Sequence, residues 1–184
     1  MRLFVALPLP EETRAALTAW TKKCGAQPAL RWTPEEQLHI TLHFLGEVED
    51  VLAALVTAAL DGLRRPQFDV EIDRVEALGR ASVLAAAAKM TPELAALEIE
   101  VRARVAGISG LKREIGGTRG KDETREFRPH VTLARARRDA AVPKLRTLPR
   151  FATFRFRAEC FRLYKSELRR DGAVHTVVGE WKLD

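Results

Sequence analysis

Two short stretches of this sequence combine residue types that can do chemistry with a spacing that would bring them together. Leu38-His39-Ile40-Thr41-Leu42-His43-Phe44 alternates strictly between apolar and polar residues, and Arg128-Pro129-His130-Val131-Thr132-Leu133-Ala134-Arg135 repeats the theme with His130 and Thr132. Alternation of period two is the signature of a strand with one buried face. It predicts that Leu38, Ile40, Leu42 and Phe44 point into a core, with His39, Thr41 and His43 sharing the opposite face. In the second stretch Val131 and Leu133 take the core side, and His130 and Thr132 the other. A lone His-x-Thr says little, but neither histidine is explained as core packing. The motif also recurs half a chain length away in a chain of 184 residues, as an internal duplication would give. Each strand offers an imidazole that exchanges a proton near neutral pH and a hydroxyl that can donate to an anionic oxygen. Facing each other across a cleft, two such strands supply an acid, a base and two donors. That set suits transfer at a phosphate, with one histidine activating the attacking oxygen and the other protonating the leaving one.

Other chemistries fit less well. His39 and His43 stand roughly 13 Å apart along a strand, too far to share a metal ion, and no His-Glu-x-x-His is present. The expectation is therefore of no metal and no cofactor. Gly-x-Ser-x-Gly is absent, and neither Cys24 nor Cys160 lies near a histidine in sequence, which leaves covalent catalysis without support. His175 has no repeat partner and reads as an ordinary surface or packing residue. Arg128 and Arg135 are the candidate anion ligands beside the second motif, or else surface charges. Arg135 follows His130 by five residues, however, and reaches the site only if the strand twists, bulges or ends there. Phe4 and Tyr164 offer rings for stacking on a base, or for the core.

The rest of the chain must position these groups. A hydrophobic fraction of 46% with 30% charged residues is that of a globular protein rather than a disordered one, and 184 residues make one domain with room for two lobes. Lys and Arg number 31 against 25 Asp and Glu, so the net charge of +6 favours anionic partners such as RNA or a nucleotide, modestly. Two cysteines without a CxxC fit a reducing cytoplasm. The apolar run Leu3 to Leu7 breaks at Pro8 and Pro10, too short for a signal peptide, and no run approaches membrane-spanning length.

In chain order, Leu3–Leu7 reads as a buried strand and Glu11 to about Lys23 as a helix closed by Gly25. Arg31-Trp32-Thr33-Pro34 is a turn into the first His-x-Thr strand, and a second helix runs from Glu49–Asp50 through Leu63. Phe68–Asp73 and Ser82–Ala88 form a hairpin, and Thr91-Pro92-Glu93 starts an amphipathic helix to about Ala106. From Gly107 to Phe127, five glycines among basic residues predict a long, mobile, basic loop beside the cleft. It holds no Walker-type phosphate loop. A short helix over Pro143–Leu148 and strands over Phe151–Tyr164 and Ala173–Trp181 complete the chain, with a turn at Arg169-Arg170-Asp171-Gly172.

With Arg2-Leu3-Phe4-Val5-Ala6-Leu7 near the start and Leu163-Tyr164-Lys165-Ser166-Glu167-Leu168 near the end, the two motifs resemble the 2H phosphoesterase superfamily. The resemblance is to its bacterial and archaeal RNA 2′,3′-cyclic phosphodiesterase branch, formerly called 2′-5′ RNA ligase. It implies an α+β fold, bilobal and pseudo-twofold, with two antiparallel sheets forming a central cleft and helices outside. Residues 1–184 would be a single two-lobed domain, with His-x-Thr strands at 38–45 and 130–135 and the 107–127 loop between them. By position, His39 and His130 would be the acid–base pair, His130 as base and His39 as acid. Thr41 and Thr132 would be phosphate donors and Arg135 a further phosphate ligand. The implied reaction is metal-free hydrolysis of RNA 2′,3′-cyclic phosphate ends to 2′-phosphomonoesters by a cytoplasmic monomer, with 2′-5′ joining as its reverse. A cyclic nucleotide or ADP-ribose phosphodiesterase of the same superfamily, and a non-catalytic module that binds RNA ends, are the alternatives.

Overall fold

Nine strands, all paired antiparallel, carry the chain, in a computed structural model that describes residues 1–79, 82–108, 127–169 and 172–184. In order these are β1 (Arg2–Pro8), α1 (Glu11–Lys23), β2 (Leu30–Trp32), β3 (His39–Glu47), α2 (Asp50–Leu60), β4 (Phe68–Leu78), β5 (Val83–Ala88), α3 (Pro92–Ala106), β6 (His130–Ala136), β7 (Phe154–Ala158), β8 (Cys160–Arg169) and β9 (Gly172–Lys182). Single 3-10 turns sit at Glu35–Gln37 and Leu145–Thr147. Across the sheet the order is β7-β4-β5-β6-β3-β1-β8-β9, with β2 beside the far end of β6. Most of the predicted basic loop, residues 109–126, and the turn residues 170–171 lie outside the described residues.

Two halves are legible in that order. One is β3-β1-β8-β9 and the other β7-β4-β5-β6 with β2, and they meet at one register pair, Ile40 with Val131. Both seam residues are fully buried. β1 is central to its half, so its residues from Leu3 to Leu7 are no more than 3% exposed on either face. That is why it reads as a continuous apolar run rather than an alternation.

The helices cover one face. In α1 acids occupy the first turn and lysines the last, in accord with the macrodipole, while Leu17 and Trp20 are buried and the Trp20 Nε1–H donates to the Arg150 carbonyl at 3.3 Å. At α3, Thr91 Oγ1 accepts from the Leu94 amide at 3.3 Å with Pro92 in the first turn, a combination that stops the helix unravelling towards β5. Its stripe Leu94, Leu97, Val101 and Val105 packs towards β3, β4 and α2.

Two elements differ from the sequence reading. The segment taken as a turn at Arg31–Pro34 begins with a strand, β2, paired with β6; three residues are too few for any periodicity to show. The stretch Phe151–Tyr164 is two strands, β7 on β4 and β8 on β1, separated at Glu159. The buried residues Phe156 and Ala158 are followed by Phe161 and Leu163, a change of phase that marks the crossing from one half-sheet to the other.

Candidate active site

The positions of the reactive side chains follow from irregularities in β1–β3 and β5–β6 pairing. Between Ala6↔Thr41 and Val5↔His43 the register slips, leaving Leu42 as an extra residue in β3. A bulge of this kind reverses the side-chain alternation beyond it. His39 and Thr41 therefore keep the face free of helices, whereas His43 turns to the helix face opposite Val5, where burial and then the charge of Arg102 on α3 push its pKa down. Phe44, predicted as core, comes round to the site face, with the Arg2 guanidinium 5.6 Å from its ring centre. The expectation that His43 accompanies His39 and that Phe44 faces the core is thus reversed by one unpaired residue.

A second bulge has the opposite consequence for β6. Ala85 pairs with Thr132 but Leu84 with Ala134, so Leu133 is the extra residue, and Leu133 and Ala134 are successively buried. Directly paired residues share a face. Arg135, opposite Val83, thereby returns to the face of His130 and Thr132, which strict alternation would have denied it.

At the seam the two motifs converge. In antiparallel pairing the register of Ile40 with Val131 sets His39 towards Thr132 and Thr41 towards His130, all four on the helix-free face. The two halves orient their imidazoles in the same way. His39 Nδ1 lies 2.7 Å from the Gln37 carbonyl and His130 Nδ1 2.7 Å from the Arg128 carbonyl. A carbonyl can only accept, so Nδ1 carries the proton in both rings and Nε2 is left as the ring atom that can accept. His39 Nε2 is 3.1 Å from Thr41 Oγ1, whose hydroxyl donates to it.

Around His39 the walls are aromatic. Phe4 stacks on it with ring centres 4.8 Å apart, Tyr164 stacks on Phe4 at 5.1 Å, and His175 meets both His39 and Phe4 edge-on at 5.5 and 5.0 Å. Burial, with smaller contributions from the charges of His175, His130 and Arg135, lowers the His39 pKa to about 4, against the raising effect of the Gln37 carbonyl. Of the two rings named for base stacking, Phe4 is 3% exposed and supports His39 from below; Tyr164 is half-buried and keeps an open edge. Arg128 meets His130 through its carbonyl, while its guanidinium lies 3.9 Å from Glu76.

Three neighbours were not singled out by sequence. The sequence reads His175 as ordinary, yet β9 pairs with β8 so that His175 lies opposite Ser166, on the site face. Its buried Nδ1 has no hydrogen-bond partner among the described residues. Gln37 holds His39 through its carbonyl, and its side-chain amide donates to the Ala173 carbonyl, tying β9 to the start of β3. Arg31 faces Arg135 across the β2–β6 pairing. Ala173-Val174-His175-Thr176-Val177 does not alternate, so only the fold reveals all three.

An antiparallel sheet in two halves, each bringing a His-x-Thr strand to a shared seam, defines a 2H phosphoesterase. The chain belongs to the 2'-5' RNA ligase superfamily, whose sequence profile matches residues 9–170. Among curated relatives, the RNA 2′,3′-cyclic phosphodiesterase of Thermus thermophilus is 32% identical, covering 100% of this chain and 90% of that protein. The enzyme of the same name from Escherichia coli is 26% identical over 99% of this chain and 96% of its own. A crystal structure of E. coli LigT complexed with 3′-AMP superposes with a TM-score of 0.76 at 28% identity, covering 99% of this chain and 96% of that one.

Proposed function

We propose that this chain is an RNA 2′,3′-cyclic phosphodiesterase that opens the cyclic phosphate at the 3′-oxygen and leaves a 2′-phosphomonoester. The observation that carries the reading is the seam, where His39, Thr41, His130 and Thr132 share one face on adjoining strands, both imidazoles presenting Nε2. The activity named for the relatives supports the same substrate.

In this mechanism water attacks phosphorus while His130 Nε2 takes its proton, the P–O3′ bond breaks, and His39 Nε2–H gives its proton to the departing oxygen. The Thr41 and Thr132 hydroxyls donate to the non-bridging oxygens as charge builds on them. Thr41 then leaves its contact with His39 Nε2, which the incoming phosphate replaces. Because burial holds His39 neutral in the free chain, its protonation is coupled to arrival of the anionic phosphate, whose charge raises the imidazole pKa again. A 5′-hydroxyl in place of water gives the 2′-5′ joining reaction at the same groups. Arg135 adds a cation on that face and Tyr164 an edge for a base.

We read residues 1–184 as one two-lobed domain, which the sheet that runs through both halves supports, and take it to act as a cytoplasmic monomer. Among the described residues no helix is long and apolar enough to cross a membrane.

An oligoribonucleotide with a 2′,3′-cyclic phosphate end, incubated with the protein and EDTA, tests the reading. A 2′-phosphate end is expected at an undiminished rate. A 3′-phosphate end, loss of turnover on chelation, or tight end-dependent binding without product would overturn it.

A further inference from the structure

Arg31 and Arg135 oppose each other directly in the β2–β6 register, and residues so paired project from the same face, here that of His130 and Thr132. Both are exposed, and among the described residues neither has a carboxylate partner. Other arginines described in the sheet are matched. Arg155 lies 2.6 Å from Glu71, Arg162 2.6 Å from Glu180 and Arg157 3.2 Å from Asp69. Like charges directly opposed across strands destabilise the pairing, and desolvation, then the Arg31 charge, lowers the Arg135 pKa. An anion held between the two guanidinium groups removes the repulsion. A phosphodiester suits them, since each fork can offer two parallel N–H donors to its oxygens.

The pair is continuous with the reacting centre. Through the bulge at Leu133, Arg135 stands two ladder steps beyond Thr132, roughly 7 Å along β6, and its charge acts on His39. Arg31 lies beside it on β2, on the outer side of the seam. In an RNA end bearing a cyclic phosphate, the next anion along the chain is the phosphodiester on the 5′-oxygen of the terminal ribose.

We propose that Arg31 and Arg135 form a second phosphate subsite that holds this internucleotide phosphodiester, so that the chain selects cyclic-phosphate ends of oligonucleotides over cyclic mononucleotides. The inference rests on the hydrolytic reading above and names the part of the substrate that distinguishes RNA from its monomers. It assigns Arg31, which the sequence reading places only in the turn Arg31–Pro34 before the first motif, a role in specificity rather than in proton transfer.

The test compares two dinucleotides ending in a 2′,3′-cyclic phosphate, one joined by a phosphodiester and one by an uncharged methylphosphonate, in both equilibrium binding and kcat/KM. The unaltered protein is expected to favour the charged link by about tenfold or more, the size of a charge-assisted contact. In Arg31→Met the preference should shrink towards unity, and Arg31→Lys should restore part of it. Equal treatment of the two links by the unaltered protein would overturn the subsite, as would an Arg31→Met variant that loses both substrates in the same proportion. Binding decides the subsite by itself, so a charge preference without turnover would uphold it while sinking the hydrolytic reading.

Discussion

His39 is the residue on which most of the local physics converges. Its Nδ1–H is fixed by a carbonyl, its Nε2 meets a hydroxyl, and its ring is packed between Phe4 and His175. The cost of that packing falls on the charged form, which takes the pKa from 6.5 to about 4. An unfolded chain therefore binds a proton at His39 between those values when the folded one does not, and stability rises with pH across the window. The contribution is complete above pH 6.5 and is lost as pH falls towards about 4. His43 and His175 are lowered as well and act in the same direction. The midpoint of thermal unfolding, followed through this window, should drop towards acid, and the drop should be shallower in His39→Gln. Identical slopes for the two proteins would show that the imidazole is not held neutral by the fold.

The positions of His39, Thr41, His130 and Thr132 on one strand face were legible in the sequence because the residues from Leu38 to Thr41 and from His130 to Leu133 alternate as a regular strand does. Arg31 and Gln37 were not, because a side chain on a three-residue strand or in a 3-10 turn carries no period.

At the scale of elements, two bulges decide which side chains reach the site. Alternation assumes regular pairing, and the reading failed where β3 departs from it, at His43 and Phe44, and was completed where β6 departs from it, at Arg135. Nothing in the composition of Leu42-His43 or Leu133-Ala134 announces an extra residue, since both pairs contain an ordinary strand or core residue on each side. The flanking elements were easier to read: Pro92 after Thr91 fixed the start of α3, and the apolar run of β1 showed a buried strand. The bulge in β3 predicts that His43→Gln retains kcat/KM on a cyclic-phosphate end to within about threefold, whereas a general acid or base contributes about a hundredfold or more. A large loss at His43 without loss of stability would place that ring on the wrong side of the sheet.

At the scale of the molecule, each half-sheet brings one imidazole and one hydroxyl to a seam secured by Ile40 and Val131. The site exists only where the halves meet. Spacing of the two motifs by half the chain foretold this arrangement, while the crossing of the chain between halves at Glu159 did not show until the strand partners were known. In the proposed mechanism acid and base thus come from opposite halves, and neither half holds both His-x-Thr strands. The most direct test is kcat/KM on an oligoribonucleotide with a 2′,3′-cyclic phosphate end for the unaltered protein, His39→Ala and His130→Ala, with end binding measured alongside. The account predicts that both variants lose about two to four orders of magnitude in turnover while still binding the end. Near-full turnover by either variant would contradict the claim that the two histidines act together on one phosphate.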